Sequence, residues 1–167
     1  MEKRKSKNME IKFAYKYRDE VKMLFTEYTK MLVENDPKFQ EYLDLQNYDD
    51  ELDHLEAKYG LPDGRLYLLF CEGKAAGCIG LRKIDERSCE MKRLYVRPEF
   101  RGRGLGTVLV EKIIQDAKGI GYSQILLDTL PFLESAIRMY RSFGFYEIKS
   151  YNNSPMDTSI YMRLDVK

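Results

Sequence analysis

Between Lys92 and Arg103 the chain sets five basic residues (Lys92, Arg93, Arg97, Arg101, Arg103) against a single acid, Glu99, and Gly102, Gly104 and Gly106 punctuate its end. Glycines at this spacing let a backbone turn tightly, with no Cβ to keep an anion away. The stretch joins an apparent strand, Cys89 to Val96, to an amphipathic helix beginning near Gly104. The first amides of a helix have no partner within it and point outward, so a phosphate can accept from them. A strand, a basic glycine-rich turn and a helix N-terminus together describe a site for a diphosphate.

Two familiar phosphate loops do not fit. A Walker A loop ends in Gly-Lys-Ser/Thr, and neither lysine nor serine stands there. A dinucleotide fingerprint needs a small residue three positions after its second glycine, where this chain has Thr107 or Leu109, depending on the pair counted. What remains is Arg-x-x-Gly-x-Gly, Arg101 to Gly106, directly after Leu94-Tyr95-Val96.

Those residues need elements to hold them. Glu10 to Tyr15 alternates and predicts a first strand; Tyr17 to Val33 carries a helical apolar stripe. A second helix can start at Pro37, and Tyr48 to Tyr59 reads as a third, short one. After the turn chemistry of Leu61-Pro62-Asp63-Gly64 come strands at Leu66–Cys71, Ala75–Arg82 and Cys89–Val96. The helix from Gly104 stops at Gly119 and Gly121, Gln124–Asp128 is a strand, and Phe132–Phe143 is a helix closed by Gly144. Phe145–Tyr151 and Ser159–Leu164 are closing strands, giving the order β-α-α-β-β-β-α-β-α-β-β. This is an α+β arrangement around a mixed, mostly antiparallel sheet flanked by helices.

Composition narrows the function. At 167 residues, 33% charged and 44% hydrophobic, the chain matches an ordinary globule, read as a tail at 1–9 and one domain at 10–167. No apolar run is long enough to span a bilayer, and the basic start, Met1 to Asn8, is no secretory signal. A net charge of +1 argues against a general nucleic-acid binder, as do nine acidic residues against Lys38 alone between Glu34 and Glu56. Three cysteines, Cys71, Cys78 and Cys89, lie in strands without metal-ligand spacing, which points to reduced thiols in a cytoplasmic protein and to no metal.

Three signatures stand in register: Glu90-Met91-Lys92-Arg93-Leu94-Tyr95-Val96, then Arg-x-x-Gly-x-Gly, then Ala136 through Tyr140 to Gly144-Phe145. Together they resemble the GNAT superfamily of N-acetyltransferases over roughly residues 10 to 165. The resemblance implies the acyl-CoA N-acyltransferase fold, acetyl-CoA as cosubstrate and a small-molecule or peptide amine as acceptor, and it allows a homodimer. It assigns the pantetheine arm to the backbone of Leu94, Tyr95 and Val96. The pyrophosphate falls to Arg101, Gly102, Arg103, Gly104, Leu105, Gly106 and Thr107. Tyr140 matches the tyrosine that protonates the departing sulfur, a role suited to a phenol neutral at physiological pH. Glu90 stands where some members carry a general-base glutamate. On a regular strand it shares a face with Lys92 and Leu94, so an ion pair with Lys92 is its alternative role. Asp128 is a second candidate base. Leu133 replaces an asparagine that many relatives use on the cofactor.

Two features lie outside the motif. His54, the one histidine, reads as a surface residue within an acidic helical segment. Asp49, Asp50, Glu51 and Asp53 are either a solvated helix face or an attractor for a cationic acceptor. The activity that follows is direct acetyl transfer from acetyl-CoA to an amine. Its rivals are a CoA-binding sensor or scaffold without turnover, and transfer of another acyl group.

Overall fold

The computed structural model describes residues 8–167. Of the tail expected at 1–9, residues 1–7 lie outside the described residues, while Met9 already pairs with Cys71. Strands β1 (Met9–Phe13), β2 (Arg65–Cys71), β3 (Lys74–Lys83) and β4 (Ser88–Val96) form an antiparallel meander. Beyond it lie β5 (Gln124–Thr129), β7 (Ile160–Asp165) and the short β6 (Tyr146–Ile148), in the order β1-β2-β3-β4-β5-β7-β6. Only the β4–β5 pair is parallel; it needs a crossover, supplied by α5 (Leu105–Ile120).

Helices cover both faces. On one, α5 presses Leu105, Leu109, Val110, Ile113 and Ala117 onto Leu69, Ile79, Leu81, Met91 and Ile125, with α6 (Glu134–Phe143) alongside. On the other, α1 (Arg18–Asn35) buries Val21, Leu24 and Phe25 against Leu66, Leu68 and Cys78. It is followed by α2 (Phe39–Leu45), α3 (Tyr48–Asp53) and α4 (Leu55–Tyr59). Strand β2 is sandwiched between these cores, which is why its sequence is apolar without alternation.

The expected elements are present with three corrections. Four helices, not the three named from the sequence, separate β1 from β2, because the single helix expected over Tyr48–Tyr59 breaks at His54, whose φ of −134° and ψ of 59° leave the helical region. Gly119 lies inside α5, and Gly121, at φ +112°, ends it. The strand expected over Phe145–Tyr151 stops at Ile148, because Tyr151 turns inward to bond Glu90.

Strand β4 departs from regularity in two ways that shape everything near it. Its ladder with β5 runs only from Ser88 to Glu90, so from Met91 to Val96 it has no partner on that side and the sheet splays open. On the β3 side, Cys78 faces Tyr95 and Gly80 faces Lys92, leaving Arg93 and Leu94 opposite Ile79 alone. This is a β-bulge, and Arg93 sits in it at φ +61°. Two consecutive residues, Lys92 and Arg93, therefore share a face with Glu90, while Leu94 joins Met91 on the α5 side. The expectation that Leu94 shares a face with Glu90 is corrected by this extra residue.

Candidate active site

Three spaces, each sharing lining residues with the next, lie along the splay. The first is an open cleft of about 750 Å³ between the end of β4, the glycine-rich loop and α6. Gly102 and Gly104 have φ of +79° and +75°, values open to glycine at little cost, and Gly104 caps α5. The backbone N–H groups of Gly102 through Thr107 find no partner among the described residues, and the first bond into the helix is Val108 N–H to the Gly104 carbonyl, 3.2 Å. That array of free amides at a helix N-terminus fits a diphosphate. Arg101 lines the cleft and donates to the Val96 carbonyl at 3.0 Å. Arg103 points elsewhere, towards Cys71 and over the Phe100 ring, and Arg97 is paired with Glu27 at 3.1 Å. Leu94, Tyr95, Val96, Leu105, Gly106 and Thr107 all border this cleft, as does Leu133.

The second space is a narrow throat of about 50 Å³ where β4 and β5 part. It shares Tyr28, Leu94, Leu133 and Tyr140 with the first cleft. Tyr140, from α6, packs its ring on Phe145 with centroids 5.8 Å apart. Burial pushes its hydroxyl far above the ordinary tyrosine value, helped by Tyr28 and Asp128, so it keeps its proton. Asp128 accepts bonds from Tyr42 Oη and, at 3.2 Å, from Asn152 Nδ2.

The third space, about 660 Å³, opens between α2–α4, the Arg82–Lys83 end of β3 and the loop at Asn152–Pro155. Tyr42, Gln46 and Lys92 belong to both it and the throat. Here the charges are densely paired. Arg93 meets Glu51 through Nε at 2.9 Å and a terminal amino group at 3.0 Å, and both are buried. Lys58 at 2.5 Å and Tyr59 Oη at 2.9 Å also donate to Glu51. Burial alone would raise the Glu51 carboxyl; Arg93 and Lys58 outweigh it and hold it at about 2. Glu90, 1% exposed, accepts from Arg82 Nε at 2.7 Å and Tyr151 Oη at 2.6 Å, with Lys92 Nζ at 3.7 Å. Burial works against its charge, yet Lys92, Arg82 and Tyr151 hold it below the usual glutamate range. Lys92 donates to Gln46 Oε1 at 2.6 Å and is held down to about 7, first by burial and then by Arg93 and Lys58.

The structure thus gathers the loop residues, Leu94–Val96 and Tyr140 around one cleft, and Glu90 at the far side of the throat. Of the acidic segment, Asp50 and Glu51 border the third space, and Glu51 is tied to Arg93; Asp53 faces Lys22 at 3.7 Å on the surface. His54 is exposed and 3.2 Å from Asp50. Sequence reasoning missed Tyr28, Tyr42, Gln46, Arg82 and Asn152, which reach the site from four separate segments. Lys92 was visible as one of a basic group and as Glu90's alternative ion-pair partner, but not as a base. Among the described residues no three metal-binding side chains gather, and no helix is long and apolar enough to cross a membrane.

The sequence profile of the acetyltransferase (GNAT) family matches residues 23–145. An uncharacterised N-acetyltransferase of Schizosaccharomyces pombe is 43% identical over 150 residues, covering 89% of this chain and 88% of its own. An acetyltransferase from Streptococcus agalactiae superposes with a TM-score of 0.75 at 22% identity, over 95% of this chain and 98% of that one. A GNAT family acetyltransferase from Elizabethkingia anophelis, solved with acetyl-CoA bound, gives 0.53 at 21% identity, over 62% and 76%. At those identities the two structures speak for the fold.

Proposed function

This chain belongs to the acetyltransferase (GNAT) family, and on that premise we propose that it moves the acetyl group of acetyl-CoA to an amine by direct attack within one ternary complex. The observation that carries this reading is the succession of spaces with shared walls, from the amide-lined cleft, past Tyr140, to a charged cleft on the other side of the splay. Two substrates entering from opposite ends would meet at the throat, which is the arrangement a direct transfer needs.

The free amides of Gly102–Thr107 would take the pyrophosphate of acetyl-CoA, with Arg101 beside them. The unpaired edge of Leu94, Tyr95 and Val96 would take its pantetheine arm; when bound, the thioester supplies an activated acetyl group. Backbone N–H groups on that edge polarise the carbonyl. An ammonium has no lone pair, so a base must act first. Glu90 is a weak base because three donors stabilise its charge; Lys92, 3.7 Å away, is partly neutral near pH 7 and takes the proton. Glu90 then steadies the resulting cation. As the carbon–sulfur bond breaks, Tyr140 donates its proton to the sulfur and regains one from the acylated nitrogen. In this reading residues 10–167 act as one domain, in the cytoplasm. A thiol-release assay with acetyl-CoA against a broad amine panel tests the reading: release with at least one amine is expected, and none with any overturns it.

A further inference from the structure

The charge in the third space does not cancel. Three full cations, Lys58, Arg82 and Arg93, stand at its wall or just behind it, with the partly neutral Lys92 beside them, against two buried carboxylates, Glu51 and Glu90. Both carboxylates are already enclosed by donors from within the chain. Arg82 gives only its Nε to Glu90; its two terminal amino groups donate to no acceptor among the described residues, and its side chain is 35% exposed at the cleft. Lys83, next along β3, pairs with Cys89 and so points to the opposite face, where it meets Glu86 at 2.8 Å and Asp63 at 3.9 Å. The opposite wall, Asn152 to Pro155, is uncharged. The one other carboxylate there, Asp50, faces His54 at 3.2 Å.

Resting on the acetyl-transfer reading, we propose that the acceptor carries a carboxylate beside its amine, an amino acid rather than a polyamine or a plain amine, and that Arg82 binds that carboxylate. A planar guanidinium with two free amino groups matches a carboxylate's two oxygens. An anion there completes the balance of the cluster while the amine end reaches inward to Lys92 at the throat. The low basicity of Lys92, caused in part by Arg93 and Lys58, reports the same surplus of positive charge. This orientation reverses the cationic acceptor that the acidic segment suggests in sequence, because Glu51 is neutralised by Arg93 and Asp53 lies outside the cleft.

The test uses the intact protein and matched sets: proteinogenic α-amino acids, β-alanine, their amides, and the corresponding decarboxylated amines, each assayed for thiol release from acetyl-CoA. A preference of at least tenfold in kcat/KM for an acid over its own amide is expected. Arg82→Gln should then raise the acid's KM about tenfold or more while leaving the KM for acetyl-CoA within twofold. Amides or plain amines used as well as the acids would overturn the proposal and leave acetyl transfer standing. Should no compound release thiol, the transfer reading fails, and calorimetric titration with N-acetylated amino acids and their amides decides the site by itself. Acid-selective binding upholds it, and no selectivity overturns it. Because the acid–amide comparison is made on the unaltered protein, it holds even if Arg82→Gln folds poorly.

Discussion

The two clefts flanking the throat are built on opposite plans. The glycine-loop cleft is lined by main chain from one continuous stretch, Leu94 to Thr107, with its amides left open. The charged cleft is lined by side chains from α2, α3, β3, β4 and the Asn152 loop, nearly all engaged with one another. A backbone site depends on local conformation and tolerates change in its side chains. A side-chain site depends on the whole fold, and each member holds others in place. The first suits a ligand common to many reactions, and the second suits the one that varies.

If that contrast holds, the largest effect belongs to Glu51. Glu51→Ala leaves the buried Arg93 guanidinium without its counter-charge and should destabilise the fold by about 3–5 kcal/mol, visible as a fall in Tm. The same pair predicts acid sensitivity. The Glu51 pKa is lowered from 4.5 to about 2, so its contribution is present above pH 4.5 and is lost as pH falls from there towards 2. Urea titrations across that range should show stability declining more steeply in the wild type than in the Ala variant, which retains the contribution of Glu90; parallel curves would break the comparison.

Gly104→Val should act in the opposite manner, on ligand and hardly on fold. A Cβ at Gly104 meets nothing within 4 Å in the protein, so only backbone strain of about 1–2 kcal/mol opposes folding. Acetyl-CoA affinity by calorimetry should nevertheless fall by roughly 100-fold or more. Unchanged affinity in the folded variant would remove the loop from the site.

Tyr140→Phe sharpens the contrast at the boundary of the two clefts. It keeps the ring and the contact with Phe145 but deletes the proton, so kcat should drop by about 100-fold at saturating acetyl-CoA, with KM and Tm little changed. Wild-type turnover would make Tyr140 a packing residue. The smallest effect is expected at Lys92. Its neutral form is the active one, so kcat/KM should rise with pH through about 7. Lys92→Arg, permanently charged, should lose about tenfold at pH 7 and shift the rise towards the acceptor's own pKa. A profile unaltered by the substitution would leave proton removal to water or Asp128.

The same contrast explains what could be read in the chain. The strand–loop–helix from Cys89 to Ala117 was legible because glycine positions and apolar spacing are local signals. The split at His54 was not, since Tyr48–Tyr59 is helix-compatible throughout and only packing decides where it bends. Nor was the bulge: Arg93 occupies φ +61° without being glycine, held there by Glu51 and Gln46 from helices more than forty positions away. Glu51 itself looked like one more solvated acid among its neighbours. Nothing in the segment marks it as the buried member, because Arg93, the partner that buries with it, is 42 positions away in the sequence.

The splay of β4 from β5 has a consequence for traffic. The mouths of the two clefts share no residue, so under the proposed direct transfer each substrate would have its own door and neither would need to wait for the other to enter or leave. Initial-rate lines at several fixed concentrations of one substrate should therefore intersect rather than run parallel. Free CoA and the acetylated product should each inhibit chiefly against the substrate that uses the same door. An opening made by a few missing ladder bonds thus sets the order of events in the reaction cycle, or frees it from having one.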